Sequence, residues 1–385
     1  MEWVKLDDCF EFIRNGANIK QFGNDGLPIT RIETISDRTV NKDKVGYANI
    51  KYPEYSEYYL RYNDILMSHI NSEKHLGKVA IYKDEADEII IHGMNLLCLR
   101  SNKNFLADYL YYFFNSIIFK NQINKIMKKS VNQASFNITN LKNLKVPNIS
   151  LIKQKNIVER LAKVETIIQT RQDQIQAFDD LVESVFDQMF GDVQENNKSL
   201  ISKKLGDVVK VNQGLQIAKS KRFDKEVENS YKYITIRYLN GNSDTEYIQN
   251  PQASVICNKD DILVARTGNT GQIVTGVDGV FHNNFFKVNY DKNQFNKTYL
   301  YKYLTNKKIQ DKMLMLAGTS TIPDLNHKDF YSIDVLIPPI EKQNHFADFV
   351  EKIEKQKQIL NDSLGQLTML FDSLMQDAFD GPLMK

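Results

Sequence analysis

The residues best suited to metal or proton chemistry are six histidines, His69, His75, His92, His282, His327 and His345. A zinc site gathers its ligands in closely spaced sets, and these six are scattered along the chain. His92 and His282 stand at matching places before a β-like run, where a histidine is either structural or turned toward a groove. Asp64 and the pair Asp260-Asp261 also precede β-like runs, as the acidic residues of some nucleases do. No Glu-x-Lys follows either at nuclease spacing, so both read as turn residues. Gly268-Asn269-Thr270-Gly271 is too short for a phosphate-cradling or dinucleotide-binding loop and reads as a tight turn. Ile337-Pro338-Pro339-Ile340 lacks both the amide or acidic residue and the aromatic of an amino-methyltransferase loop. No catalytic residue and no metal ligand emerges, which leaves recognition.

Reading a nucleic-acid base edge needs donors and acceptors held on a scaffold. Arg and Lys suit guanine, and Asn and Gln suit adenine. In the first half of the chain the candidates are His69, Asn71, Lys74, His75 and Lys78, with Lys128, Lys129, Asn132, Gln133 and Ser135 further on. In the second half they are Lys219, Lys221, Arg222 and Arg237, then Arg266, Thr267, Asn269 and Thr270, then Thr319, Ser320 and Thr321. Each taken alone reads as solvated surface. Their case is positional, because matching loops carry them in both halves. Most contacts in such an interface go to phosphate, which carries no sequence information.

The elements that must hold those loops come in two passes of one plan. Each pass opens on a short β-like run that turns at a glycine, Gly16 in the first and Gly214 in the second. Strand candidates follow at 28–32 and 233–236. The best-matched block is Asn63-Asp64-Ile65-Leu66-Met67-Ser68 against Asp260-Asp261-Ile262-Leu263-Val264-Ala265. Each leads through a polar loop to a second strand, 77–81 and 271–274, so each reads as a hairpin presenting side chains at its tip. Further strands at 93–99 and 284–288 precede helical patterns at 107–119 and 298–316. A short strand ending in proline, at Pro147 and at Pro338, closes each globular part.

Two long helices follow those prolines. Ile157, Leu161, Val164, Ile168, Ile175, Phe178, Val182 and Val185 are spaced alternately by four and three, with a polar break at Arg171. Phe346, Val350, Ile353, Leu360, Leu364, Leu367, Phe371 and Leu374 repeat the rhythm, with a break at Lys357. This is a heptad seam, which buries one stripe against a partner helix. Ile157 and Phe346 lie 189 positions apart, as do Met189 and Ala378, so the two seams share one register. Each helix should run about 35–38 residues, or about 55 Å. The polar linker 192–203 spans at most about 40 Å extended, too short to return along such a helix. The helices should therefore pair antiparallel about a pseudo-twofold axis, with the globular parts at opposite ends. Arg171 and Lys357 should pack their stems in the seam while their charges reach water.

The 385 residues are 42% hydrophobic with a formal charge of +2, a globular composition with room for two or three cores. Residues 1–150 carry 20 basic against 17 acidic side chains and 202–340 carry 19 against 14, whereas 151–201 and 341–385 carry 6 against 9 and 5 against 8. A polyanion would therefore meet the globular parts rather than the helices. Cys9, Cys98 and Cys257 suit buried thiols in a reducing compartment. The N-terminus is no signal peptide and no apolar tract spans a bilayer, so a soluble, cytoplasmic protein without a membrane partner is expected.

Two dissimilar α/β modules alternating with two similar long helices resemble the specificity (S) subunit of type I restriction–modification systems. The resemblance covers essentially the whole chain. It rests on blocks 63–68 with 77–81 and 260–265 with 271–274, on 92–99, on the junctions from Val146-Pro147 and Ile337-Pro338-Pro339 into the helices, and on their similar ends at 181–191 and 370–381. It implies an α+β architecture with an internal repeat: target recognition domains at 1–150 and 204–340, long helices at 151–191 and 341–385, and a linker at 192–203. It further implies that each domain reads one half of a bipartite site on double-stranded DNA, with the antiparallel coiled coil as a ruler for the unread spacer. A subunit of this kind is not an enzyme and carries no cofactor. It docks two modification (methyltransferase) subunits, which bring S-adenosylmethionine and methylate adenine, and restriction subunits that translocate and cleave. The alternatives are a specificity subunit serving a type II-like restriction–methyltransferase and a non-catalytic coiled-coil scaffold that binds proteins.

Overall fold

The computed structural model describes residues 2–35, 39–83, 88–131, 133–241, 244–318 and 323–380. The chain divides into two compact units, residues 1–172 with 362–385 and residues 173–361.

In the first unit, β1 (Glu2–Lys5) and β2 (Phe10–Asn15) flank a 3-10 turn over Leu6–Cys9. They are followed by β3 (Ile65–Ser68), β4 (Ile70–Asn71), β5 (Val79–Ile81) and β6 (Leu96–Ser101). An antiparallel sheet forms in the order β2-β6-β3-β5, with Ile65 opposite both Leu99 and Ile81. Side chains alternate faces along a strand. Ile65 and Met67 join the cluster of α1 (Ala107–Asn115) and α2 (Ile117–Ile126), and Leu66 joins Ile35, Leu60 and Cys98 on the other side. Covering both faces explains why the strand reads as an unbroken apolar run. The chain continues through β7 (Lys128–Lys129), β8 (Ala134–Ser135), α3 (Ile138–Lys142) and β9 (Lys145–Asn148), which pairs antiparallel with β1, into α4 (Leu151–Phe190).

The second unit repeats this frame. β10 (Ile201–Lys204), α5 (Leu205–Val208) and β11 (Val209–Gln213) open it. Then come β12 (Ser230–Ile234), α6 (Ile236–Leu239), β13 (Tyr247–Gln249), β14 (Ile256–Cys257), β15 (Ile262–Ala265), β16 (Ile273–Val274), β17 (Gly279–Phe281) and β18 (Phe285–Tyr290). The framework sheet runs β11-β18-β15-β16, and a second sheet runs β13-β12-β17-β14. α7 (Lys297–Thr305), α8 (Lys307–Ala317), α9 (His327–Tyr331) and β19 (Asp334–Ile337), paired with β10, lead into α10 (Ile340–Phe379). Gly16 and Gly214 hold one place in the two frames. A Cβ on Gly16 would lie 2.0 Å from the Gly93 carbonyl oxygen, and one on Gly214 would lie 2.2 Å from that of His282.

Several local expectations need correcting. Residues 28–32 form no strand: Ile29 makes isolated bridges to Gly46 and Ile91, and Ile32 starts a 3-10 turn. Residues 233–236 are split, because the Thr235 hydroxyl accepts from the Tyr238 amide and caps α6. The helical patterns at 107–119 and 298–316 are each two helices, broken where Ser116 and Asn306 cap α2 and α8. Ile201–Lys204 is a strand, so the irregular connection after α4 ends before it.

Both long helices have 40 residues, or about 60 Å each. Within each unit they run antiparallel. In the first, Ile157 and Leu161 of α4 share a cluster with Met375, Ala378 and Phe379 of α10. In the second, Val182, Phe186 and Phe190 of α4 share one with Phe346, Val350 and Ile353 of α10. Ile157, Leu161, Val182, Phe346, Val350 and Ile353 are buried. Val164, Ile168, Ile175, Phe178, Val185, Leu360, Leu364, Leu367, Phe371 and Leu374 are half-buried. At the far ends the buried stripe slides off the strict heptad to Phe186 and Phe190 and to Met375 and Phe379. An α-helix drifts about 20° per heptad against a 3.5-residue repeat, and there each helix also meets a globular module. Phe190 packs 4.7 Å from the Tyr299 ring, and Phe379 packs 5.5 Å from that of Tyr109. Lys357 does not send its charge to water: its ammonium pairs with Asp179 at 2.5 Å and Glu354 at 3.6 Å.

The root of each helix is pinned by a fully buried glutamine. The Gln154 carbonyl accepts from the Leu106 amide at 2.8 Å, and its amide donates to the carbonyls of Asn104 and Ile149. Gln343 does the same with the Asn296 amide and the carbonyls of Gln294 and Pro338. Replacing Gln154 by Ala leaves three part-buried backbone groups without their partner, each costing about 1 kcal/mol or more where water does not replace it. Chemical denaturation of Gln154→Ala should show a loss of at least ~2 kcal/mol. A change within the scatter of a surface substitution would mean that the clip is not structural.

Candidate nucleic-acid interface

In the first unit the two predicted loops meet. β4, on the hairpin, pairs with β8, and β8 with β7, giving a small antiparallel sheet in the order β4-β8-β7. Asn71 therefore sits opposite Ala134, Ile70 opposite Ser135, and Lys128 and Lys129 edge the same sheet. The Asn71 side-chain amide donates to the Ser68 hydroxyl at 3.2 Å. Lys74 and His75 are exposed on a 3-10 turn, Lys78 is half-buried at its end, and Lys129 pairs with Glu73 at 2.7 Å. Lys128 and Gln133 are exposed and Ser135 is half-buried. Asn132 lies outside the described residues. His69 lies beneath the surface against the Phe136 ring, 6.5 Å away, with its carbonyl accepting from the Phe136 amide. Burial lowers its imidazole pKa, which favours the neutral ring over a cation for phosphate.

The second unit joins its hairpin tip to the matching segment by another route. The Arg266 carbonyl accepts from the Leu325 amide, and its guanidinium grips Asp324 with two bonds of 2.9 and 2.7 Å. The pairing holds the Asp324 carboxyl below its ordinary pKa. Thr270 donates its hydroxyl to the Pro323 carbonyl, Asn269 bonds Gln272, and Thr267 is half-buried. Thr319, Ser320 and Thr321 lie outside the described residues. Arg222 is also engaged: it donates to Glu246 and to the Ile217 carbonyl and lies 4.9 Å from the centre of the Tyr233 ring. Lys219, Lys221 and Arg237 are exposed.

Arg222, Lys219 and Arg237 line a cleft of about 490 Å³ together with Asp224, Thr235, Asp244, Glu246, His282 and Asn284. Asn284, Thr235 and the two aspartates were not among the sequence candidates. The available signal was the position of Asn284 at the start of the strand expected over 284–288. The expected match of His92 with His282 is off by one: Leu96 and Phe285 hold equivalent places in the two sheets, so His282 stands where Gly93 does. His282 is half-buried, and its Nδ1 accepts from the Asn284 amide at 3.0 Å. Burial first, and the Arg222 charge second, lower its pKa. His92 is fully buried instead. Its Nε2 bonds the Leu96 carbonyl at 3.0 Å, and its Nδ1 has no partner among the described residues.

Residues 1–177 and 198–369 match the type I restriction modification DNA specificity domain. The chain belongs to the type I restriction–modification DNA specificity family. It is 32% identical over 368 residues to a putative type I restriction enzyme specificity subunit, MjaX, of Methanocaldococcus jannaschii, covering 91% of this chain and 86% of that protein. A second specificity subunit of that organism, MjaVIII, is 28% identical over 178 residues, covering 44% of this chain and 41% of the other. Among solved structures, the S subunit of a type I system from M. genitalium aligns over 98% of this chain and 96% of its own at 16% identity and a TM-score of 0.55. A chain from a structure on complex assembly and conformational transition of the type I system aligns over 99% and 97% at 13% identity and a TM-score of 0.60. At these identities the structural likeness speaks for the fold. The general role of a specificity subunit is recognition of DNA, and the family places this chain in that role. No helix among the described residues is long and apolar enough to cross a membrane.

Burial dominates the His92 environment and lowers its pKa to about 4. A depressed folded-state pKa on a base means that the unfolded chain takes up the proton first, so this histidine erodes stability as pH falls from 6.5 toward 4. Titration of the His92 ring by NMR should give a neutral imidazole at pH 5 in the folded protein. A midpoint at or above the ordinary 6.5 would contradict the buried placement.

Proposed function

We propose that this chain is the DNA-reading subunit of a type I restriction–modification complex and that each globular module reads one half of a bipartite duplex site. The observation that carries this reading is the pairing of a common frame with unlike loops. The frame repeats strand for strand, down to the glutamine clips and the closing strands. On it the first unit carries a small β4-β8-β7 sheet, whereas the second carries an open cleft. Two readers on one frame suit two different half-site sequences. The two 40-residue helices would then set the unread spacer between the halves.

Catalysis belongs to partners in this reading. Two modification subunits would bring S-adenosylmethionine for adenine methylation, and restriction subunits would translocate and cleave. A chain built on an internal repeat offers two equivalent faces for two copies of one partner. The excess of acidic over basic side chains on the helical stretches favours docking there, since DNA is drawn to the basic modules.

Selection from a random duplex library, with this chain bound to the modification subunit encoded beside it, tests the proposal. Two short enriched blocks at a fixed separation are expected, with binding that weakens steeply as salt rises. No enrichment, with binding indifferent to salt, would refute it in favour of a protein-binding scaffold.

A further inference from the structure

The two units differ around the equivalent bridged positions Gly93 and His282. Ala17 bridges Gly93 and Leu215 bridges His282, while the Ala17 amide donates to the His92 carbonyl and the Leu215 amide to that of Phe281. In the first unit that place is roofed over. The His92 amide donates to the Tyr58 carbonyl at 2.8 Å, Tyr59 bridges Ile91, and the Arg14 guanidinium lies 5.0 Å from the centre of the Tyr58 ring. In the second unit the equivalent segment, at His282 and Asn284, lines the open cleft.

We propose that the cleft over His282 is the base-reading site of the second module, with Asn284 and Arg237 as its specificity-determining residues. This rests on the DNA-reading role argued above and assigns it to particular side chains. The Asn284 side chain lines the cleft beside His282, and its amide carries a donor and an acceptor side by side. That pair matches the donor and acceptor on the major-groove edge of adenine. Its backbone is held on both sides, the amide by His282 Nδ1 and the carbonyl by the Arg266 amide at 2.7 Å. The side chain is therefore presented from a fixed point. Arg237 is exposed on α6, whose start is fixed by the Thr235 cap, and a guanidinium there can reach a guanine edge.

The carboxylates of the cleft decide between base and backbone. Asp224 and Asp244 are in its lining, and Glu246 is bonded to Arg222. A phosphate placed there would meet like charge, whereas the amino groups of cytosine and adenine are donors that carboxylates accept. Arg222 is locked over Tyr233 as part of the wall. The cleft thus sets acceptors for base amino groups beside the cations Lys219 and Arg237.

The test is the same library selection with the full chain and its modification subunit, comparing wild type, Asn284→Ala and Arg237→Ala. Arg237 is exposed and Asn284 half-buried, and unchanged melting would establish folding. Each variant should lose about tenfold discrimination at one or two adjacent positions of one block and leave the other block untouched. Variants that enrich the wild-type blocks unchanged would overturn the assignment while leaving the DNA-reading role intact. Uniform weakening across all sequences would also overturn it, because the contacts would then be to phosphate. A wild type that enriches no block removes the DNA-reading role and this assignment together.

Discussion

Gln154 and Gln343 sit at the roots of the two long helices with no exposed surface, and each spends its amide on three backbone groups of the adjoining module. A buried amide is tolerated only when its donors and acceptor are all paired. That demand fixes the helix against the module at three points rather than through a slippery apolar contact alone. The proposed spacer role of the helices rests on this joint. A helix that rotated at its root would carry its seam out of register and leave the far end free to wander.

The far ends are held differently. Phe190 and Phe379, 189 positions apart, each enter an aromatic cluster built around a tyrosine whose hydroxyl bonds a carbonyl of the closing strand. Such rings bury large areas and pack with defined geometry. Each unit therefore owns a polar joint to the helix that leaves it and an aromatic socket for the end of the other helix. The repeat is economical because the same two devices serve both units.

Much of this was legible in the sequence. The heptad seams declare themselves because Ile, Leu, Val and Phe fall at spacings of four and three, and the shared 189-residue register follows from position alone. The hairpins at Ile65–Ser68 and Ile262–Ala265 are legible for the same reason, as short apolar runs framed by turn residues. The helix breaks at Ser116 and Asn306 were masked by apolar residues that continue on both sides of them, although both are ordinary capping residues. The candidate site was legible only as a neighbourhood. Arg266 has its partner Asp324 58 positions away, and the roof over His92 comes from Tyr58. Spacing along a chain says nothing about such pairings, so free and engaged cations look alike until the fold brings them together.

The central claim, that the helices set the distance between two half-sites, is tested most directly by shortening both by one heptad. Deleting residues 170–176 and 359–365 removes equivalent segments of the repeat and keeps each seam in phase. Seven residues of helix are about 10 Å, or about 3 base pairs of duplex. Library selection with this variant should return the same two sequence blocks with a spacer shorter by about 3 base pairs. The same two blocks at the wild-type separation would contradict the account.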